Sequence, residues 1–292
     1  MKKHQPSQFI AQDLKHIHDD ELIPAIQKHV TYLLDQALLL SQADQREDES
    51  SIHSIRVALK KLRSYWRLIR FAVDDAEFKA ADVRIRTTAK RLAGQRDQQV
   101  LCDSLQTLKS QLKAPEKSTI ETLIGQINQT SEITSSMTIN WSEVIIALQL
   151  ERSKWQDLIH TPRQSHLIQE ALQSTFNRSC RCAQEAIQNT ATSTQRHQWR
   201  KWVKYLYYQL KLLKQLEVKR NKEHKKILKR LSSLGESLGY EHDFEILRIY
   251  LEQQLQAHPD LQASLKKIIK VNQKRLQHLR IHANRLDKSL LK

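Results

Sequence analysis

Apolar residues recur along most of this chain at alternating intervals of three and four positions. The clearest row comprises Ile55, Leu59, Leu62, Trp66, Ile69 and Val73. This spacing places the apolar side chains on one helix face, as expected for a helix that packs against a core. Gly and Pro number only 4 and 5 among 292 residues, so tight turns are few. The pattern therefore predicts an all-α protein built from long helices.

The apolar pattern divides the chain into ten predicted helices. They cover residues 20–44, 48–73, 75–93, 96–113, 117–159, 164–190, 194–217, 219–238, 242–257 and 260–289. Short links between successive helices favour antiparallel neighbours. Pro162 disfavours a helix that continues through the middle of the chain. We therefore predict an N-terminal extension over 1–19, a first antiparallel helical bundle over 20–160 and a second over 161–292.

Basic positions repeat between the two predicted bundles at an offset of 144 residues. The matched pairs are His53 with His197, Arg56 with Arg200, Lys60 with Lys204, Arg67 with Lys211 and Arg70 with Lys214. One position breaks the pattern, since Arg63 aligns with Tyr207. The intervening apolar residues also align. Agreement at so many positions predicts an internal duplication, and therefore two pseudo-symmetric bundles.

The net charge of +16 is concentrated in two segments. Residues 51–100 carry 12 Lys and Arg against 5 acids, and residues 195–232 carry 13 against 2. We therefore expect the positive excess to be confined to matching parts of the two copies. Such a field attracts nucleic acid, acidic membrane surfaces or polyphosphate.

Basic side chains follow one face of the second predicted helix in each copy. In the first copy they occupy a sector roughly 100° wide and about 25 Å long. No Asp or Glu occurs between Ser51 and Val73, so these charges repel one another unless an anion neutralises them. The next helix of each copy adds further basic residues. The candidate polyanion-binding residues are His53, Arg56, Lys60, Arg63, Arg67, Arg70, Arg84, Arg91, Arg96, His197, Arg200, Lys204, Tyr207, Lys211, Lys214, Lys222, Lys226 and Lys229.

Several other classes of protein are disfavoured by the sequence. The three cysteines form no CxxC pair, so neither a disulfide framework nor a zinc site is indicated. The longest apolar run, Val144 to Leu148, is too short to cross a bilayer, and residues 1–12 do not resemble a signal peptide. No P-loop is present, and no nucleophile accompanies His53 or His197. We expect a cytoplasmic binding protein that has no catalytic residues, cofactor or metal.

Nucleic-acid binding through the same basic surface is the alternative function. The charge suits nucleic acid equally well. Trp66 and Trp199 lie on the apolar side, whereas Tyr205 and Tyr208 are placed to border a groove. No helix-turn-helix, zinc-finger or RRM signature accompanies the charge.

The spacing H-x2-R-x3-K resembles that of the CHAD family, the conserved histidine α-helical domain. It occurs as His53/Arg56/Lys60 and again as His197/Arg200/Lys204. A second family mark, a Leu-Gly turn before an Arg-Asp pair, resembles Leu238-Gly239 before His242-Asp243, and less closely Leu92-Ala93-Gly94 before Arg96-Asp97. The resemblance implies two helical bundles whose basic surfaces face a shared groove that binds inorganic polyphosphate. Association with polyphosphate granules in the cytoplasm is expected to accompany such binding. No CYTH-like E-x-E-x-K strand precedes the repeat, so a stand-alone member is expected.

Overall fold

The computed structural model describes residues 21–92, 94–134, 139–158, 165–216 and 222–290. This part of the chain folds into ten α-helices and contains no strand, which confirms the predicted all-α class. The helices are α1 (Leu22–Gln42), α2 (Glu49–Leu68), α3 (Asp75–Arg91), α4 (Gly94–Lys109), α5 (Ala114–Thr134), α6 (Trp141–Gln156), α7 (Ser165–Ala186), α8 (Ser193–Gln215), α9 (Lys222–Ala257) and α10 (Gln262–Leu290). Short 3-10 turns occur at Arg70–Ala72 and Pro259–Leu261.

Two predicted helix boundaries are wrong. The single helix expected over 117–159 is in fact α5 and α6, because Asn140 starts a new helix by accepting a hydrogen bond from the Glu143 backbone N–H (3.3 Å). The two helices expected over 219–238 and 242–257 are the continuous helix α9. The predicted extension over 1–19 and the boundary near 160–161 lie outside the described residues.

Polar caps fix the starts of the helices that flank the candidate site. At the start of α3, the Asp74 carboxylate accepts hydrogen bonds from the backbone N–H groups of Ala76 (2.9 Å) and Glu77 (3.3 Å). At the start of α8, Thr192 and Gln195 form a reciprocal capping box. These caps set where each helix begins, and therefore which residues face its neighbours.

Two separate hydrophobic cores hold the helices together. The first is formed by α1, α2, α3, α6, α7, α8, the first part of α9 and the end of α10, and it contains the fully buried Trp66, Trp155 and Trp199. The Trp66 and Trp155 rings pack with their centroids 4.8 Å apart. The second core is formed by α4, α5, the last part of α9 and α10. Each core contains residues from both sides of the predicted boundary, and α9 contributes to both.

Candidate polyanion-binding site

Helices α2 and α8, which carry the two His-Arg-Lys motifs, pack directly against each other. The Ser64 hydroxyl donates a hydrogen bond to the Tyr205 carbonyl (2.8 Å), and the Gln209 amide donates one to the Ser64 carbonyl (3.1 Å). All three residues are buried. This contact holds the two motif-bearing helices in a fixed relation to each other.

One residue pair between α2 and α8 has a counterpart at the offset of 144. Ser64 accepts a hydrogen bond from Gln209, and the residues related to them by that offset are Tyr208 and Tyr65, of which Tyr208 contributes, after burial, to the raised pKa of Tyr65. An approximate two-fold relation between two similar helices produces such exchanged pairs. The internal duplication stays a prediction.

Two glycines of α9 lie beneath cationic side chains of α8. A Cβ placed on Gly235 would lie 3.0 Å from Lys204 Cε, and one on Gly239 would lie 3.7 Å from the Arg200 guanidinium. The absence of a side chain at Gly235 therefore lets Lys204 lie close along the α9 backbone, whereas Gly239 lies at ordinary contact distance from Arg200. The Leu238-Gly239 pair thus lies within a continuous helix beside Arg200.

A pair of histidines lies next to these cations. The His197 and His242 rings have centroids 4.6 Å apart. Burial lowers the pKa of His242 to about 4, and the charges of Arg200, His197 and Lys60 contribute to the same shift. Lys60 belongs to α2, whereas His242 belongs to α9. Residues of both motifs therefore share one electrostatic environment.

Several lysines are partly buried beside other cations. Burial, together with the charge of Arg200, lowers the pKa of Lys204. Burial, together with the charges of Arg63 and Arg67, lowers the pKa of Lys201. Burial, together with the charge of Lys211, lowers the pKa of Lys61. An anion bound among these groups would relieve both the desolvation and the mutual repulsion.

Part of the α2 stripe is neutralised by an acid that lies outside α2. Asp82 of α3 accepts hydrogen bonds from Arg63 Nη2 (2.9 Å) and Arg67 Nη2 (3.1 Å). Arg86 contacts the other oxygen of the same carboxylate at 3.0 Å. The absence of acids along residues 51–73 therefore does not leave every arginine of the stripe without a counterion.

The α3 arginines contact α6. Arg84 Nε donates a hydrogen bond to buried Glu151 (2.8 Å), which also accepts one from Trp66 Nε1 (2.8 Å). Arg91 forms an ion pair with Glu143. Burial raises the pKa of the Glu151 carboxyl, so its charge depends on these partners. These contacts hold α3 against α6, and they do not bring Arg84 or Arg91 to the His197–His242 pair.

The remaining predicted residues occupy the surroundings of this site. The Tyr207 ring contacts both Lys204 and Lys211, whose Nζ atoms lie 5.9 and 5.8 Å from its centroid. The Arg70 guanidinium lies 5.3 Å from the Phe71 ring centroid. The exposed predicted residues are His53, Lys60, Arg91, Lys211, Lys214, Lys226 and Lys229. Arg56 donates a hydrogen bond to the Leu92 carbonyl (2.6 Å). The side chains of Arg96 and Lys222 lie outside the described residues.

The geometry can be compared with known proteins. The family model for the CHAD domain matches residues 25–252, which is most of the chain. The chain belongs to the CHAD family. A solved structure with a similar fold is the crystal structure of the CHAD domain from the plant Ricinus communis, with a TM-score of 0.63 and 17% identity over 91% of this chain and 92% of that one. No curated protein matches the chain.

Three residues of this CHAD domain join the site without having been predicted. They are Lys61, Lys201 and His242. His242 lies in the predicted Leu-Gly mark, but its contact with His197 depends on how α8 packs against α9. Lys61 and Lys201 each adjoin a motif lysine or arginine in sequence, and only the α2–α8 packing shows that they are crowded by other cations.

Two further findings concern metals and membranes. In the described ranges, no group of three or more His, Cys, Asp or Glu residues is arranged to hold a metal ion. None of the helices in those ranges combines the length and hydropathy that a membrane span requires.

Proposed function

We propose that this CHAD domain binds inorganic polyphosphate where α2, α8 and α9 meet. The observation that carries the proposal is that cations of both motifs crowd the His197–His242 pair. Arg200, Lys60 and His197 all lower the pKa of His242. A site whose residues resist protonation in the absence of a ligand favours an anion that restores their charge.

The chemistry of these side chains suits a chain of phosphates. Arg200 offers a planar fork to phosphate oxygens, and Lys60 and Lys204 supply compact positive charges. The Tyr207 hydroxyl is a further donor. A polyphosphate presents equivalent charged units along its length, so no base-reading residue is needed. Polyphosphate binding is also the activity known for CHAD domains at the family level.

We propose that the domain is a binding module and not an enzyme. Phosphoanhydride chemistry ordinarily uses carboxylates that hold Mg2+. Beside the stripe, the Asp82 carboxylate is already bound by Arg63, Arg67 and Arg86. On this proposal the protein acts in the cytoplasm, where association with polyphosphate granules would follow from its affinity for their polymer.

Competition measures the selectivity of the site. Labelled polyphosphate bound to the full chain is displaced with unlabelled polyphosphate or duplex DNA at equal phosphate concentration and physiological salt. We expect polyphosphate to displace the label far more effectively, because a duplex is too wide for a site between neighbouring helices. Equal displacement would assign the site to nucleic acid.

A variant pair locates the site. Arg200→Gln with Lys204→Gln is expected to weaken polyphosphate binding at least tenfold, since two charge-assisted contacts are lost. The matched control, Lys28→Gln with Lys113→Gln, removes the same charge from exposed positions elsewhere. Equal loss in both variants would show that net charge alone drives binding.

A further inference from the structure

A second basic surface lies on α10, outside the two His-Arg-Lys motifs. Residues 262–290 contain eight Lys and Arg and one acid, Asp287. The positive excess is therefore not confined to the two segments that the sequence pattern indicated. The exposed basic residues along the outward side of this helix, called here the α10 stripe, are Lys266, Lys270, Lys274, His278 and Arg285.

The α10 stripe faces away from the protein. The buried residues Leu265, Ile268, Asn272 and Leu276 lie on the side of α10 that packs against α9 and α5. At about 100° per residue, the stripe falls in a sector roughly 120° wide on the opposite side. From Lys266 to Arg285 it extends about 28 Å. It is thus a convex, straight row of charges.

The α10 stripe is not a by-product of the repeat. At the offset of 144, the positions that correspond to Lys266, Lys270 and Lys274 carry the neutral residues Thr122, Gln126 and Thr130. One half of the chain therefore has a charged row that the other half lacks.

The stripe is also not neutralised by neighbouring acids. On its flank, Lys267 donates a hydrogen bond to Glu116 (2.7 Å). By contrast, Lys270, Lys274 and Arg285 have no acidic partner within the described part of the chain. An ordinary exposed helix face mixes acids with lysines at spacings of four, whereas this face has none before Asp287.

We propose that the α10 stripe binds the phosphate backbone of double-stranded nucleic acid. A single helix about 10–12 Å across fits the major groove, which is about 12 Å wide. The polar side chains of Gln273 and Gln277 border the stripe and are exposed. Lysines and arginines that point outwards from one helix reach phosphates on either side of it without reading bases.

Other partners suit the α10 stripe less well. Ile281, with 43% of its surface exposed, is the large apolar side chain on this face of the described helix, which is too little to enter a bilayer. Helix α10 contains no Phe, Tyr or Trp on which single-stranded bases would stack. On this convex surface a narrow, flexible anion would contact residues of one helix only. Where α2, α8 and α9 meet, it would contact residues of three.

Duplex binding is tested by fluorescence anisotropy on the full chain, with a labelled duplex DNA as the probe. Replacing Lys270, Lys274 and Arg285 by Gln is expected to weaken binding at least tenfold at about 0.1 M salt. Each lost phosphate contact lowers the slope of log affinity against log salt by about 0.9, so the slope should fall by about 3. Circular dichroism checks that helix content is retained.

The matched control, Lys28→Gln with Lys79→Gln and Lys113→Gln, removes the same charge from exposed positions on or beside other helices. We expect this control to bind the duplex nearly as well as the original chain. An equal loss in the control, or undiminished binding by the stripe variant, would overturn the proposal. The proposal would also be overturned if the original chain failed to bind duplex but bound vesicles of phosphatidylserine and phosphatidylcholine through the stripe.

The two binding sites are separated by crossing the variants with the ligands. Polyphosphate affinity is expected to survive in the stripe variant, and duplex affinity to survive in Arg200→Gln with Lys204→Gln. If the duplex instead requires Arg200 and Lys204, the stripe proposal is wrong. If polyphosphate does not bind while the duplex requires the stripe, only the polyphosphate proposal is wrong.

Discussion

At the scale of single residues, Gly235 and Gly239 differ in how closely they approach the cations above them. A Cβ on Gly235 would lie 3.0 Å from Lys204 Cε, whereas one on Gly239 would make ordinary contact with Arg200 at 3.7 Å. We predict that Gly235→Ala displaces Lys204 and weakens polyphosphate binding several-fold. Because Ala favours a helix over Gly by up to about 1 kcal/mol, the thermal midpoint should not fall. Calorimetric titration and a thermal melt measure the two effects.

Gly239→Ala is the control for that substitution. Its Cβ fits without moving Arg200, so affinity should change little while the helix gains the same propensity. Equal losses of affinity in the two variants would mean that the close approach of Lys204 to Gly235 does not matter for binding.

Arg84 is predicted to stabilise the fold and not to bind the ligand. Replacing it by Met leaves the buried Glu151 carboxylate without its cation, which should lower the free energy of unfolding by about 3 kcal/mol. Arg86→Met on the same helix removes an exposed ion pair and should cost below about 1 kcal/mol. Urea unfolding compares the two variants.

Polyphosphate titration of the folded Arg84→Met protein completes that experiment. Affinity should be unchanged, since the guanidinium of Arg84 is already hydrogen-bonded to the carboxylates of Glu151 and Glu77. A loss of affinity with little loss of stability would instead restore Arg84 to the binding residues that the sequence predicted.

At the scale of helices, the crossing of α2 and α8 depends on a small residue. The Ser64 side chain is fully buried and donates to the Tyr205 carbonyl. We predict that Ser64→Leu forces the two helices apart, lowers the free energy of unfolding by about 1–3 kcal/mol and weakens polyphosphate binding. Ser64→Ala should lose only one hydrogen bond, worth about 1 kcal/mol, and keep its affinity. Unchanged binding by the Leu variant would show that the crossing does not position the motifs.

The sequence predicted helices better than it predicted their ends. The apolar row on α2 became the buried face from Ile52 to Leu68, because a period of 3.6 residues is a local property. Gly239 was interpreted as a turn, yet α9 continues through it. A glycine within a helix costs only about 1 kcal/mol, which the packing of α9 against α8 and α10 outweighs, and a single sequence does not reveal that packing.

The candidate site was predictable only in part, because packing between helices is not evident from a single sequence. The residues on one face of α2 follow from helix geometry, so the shared side of His53, Arg56 and Lys60 was evident. Which acid pairs with Arg63 depends on the packing of α3, and which histidine contacts His197 depends on α9. Such contacts between distant segments are set by tertiary structure.

At the scale of the whole molecule, pH should act on stability and binding in opposite directions. The pKa of His242 is about 4 in the folded protein, against about 6.5 for a free histidine. The unfolded chain therefore binds more protons between these values, and stability falls as pH falls through this range. We predict that the chain loses on the order of 1 kcal/mol more than His242→Gln between pH 7 and pH 5, because solvent screening at this half-buried histidine reduces the full linkage effect. Urea unfolding at the two pH values tests this difference.

The affinity for polyphosphate should depend on pH in the direction opposite to that of stability. A bound anion raises the pKa values of His197 and His242, so protons are taken up on binding, and affinity should rise as pH falls from 7 to 5. Titrations at fixed ionic strength measure the slope, and His197→Gln with His242→Gln should flatten it. The arginines cannot supply this slope, because they remain charged throughout. A slope that persists in the double variant would assign the proton uptake to other groups.

The uninterrupted course of α9 limits how the protein can be divided. Leu231 and Leu234 of α9 belong to one core, and Phe244 and Leu247 belong to the other. A protease cut or a chain break within this helix would leave both cores incomplete, whereas a break between Leu158 and Ser165 would spare it. Fragment complementation should therefore succeed when two separately expressed pieces, divided between Leu158 and Ser165, are mixed. Each piece alone should fail to fold, because neither half contains all the helices of either core.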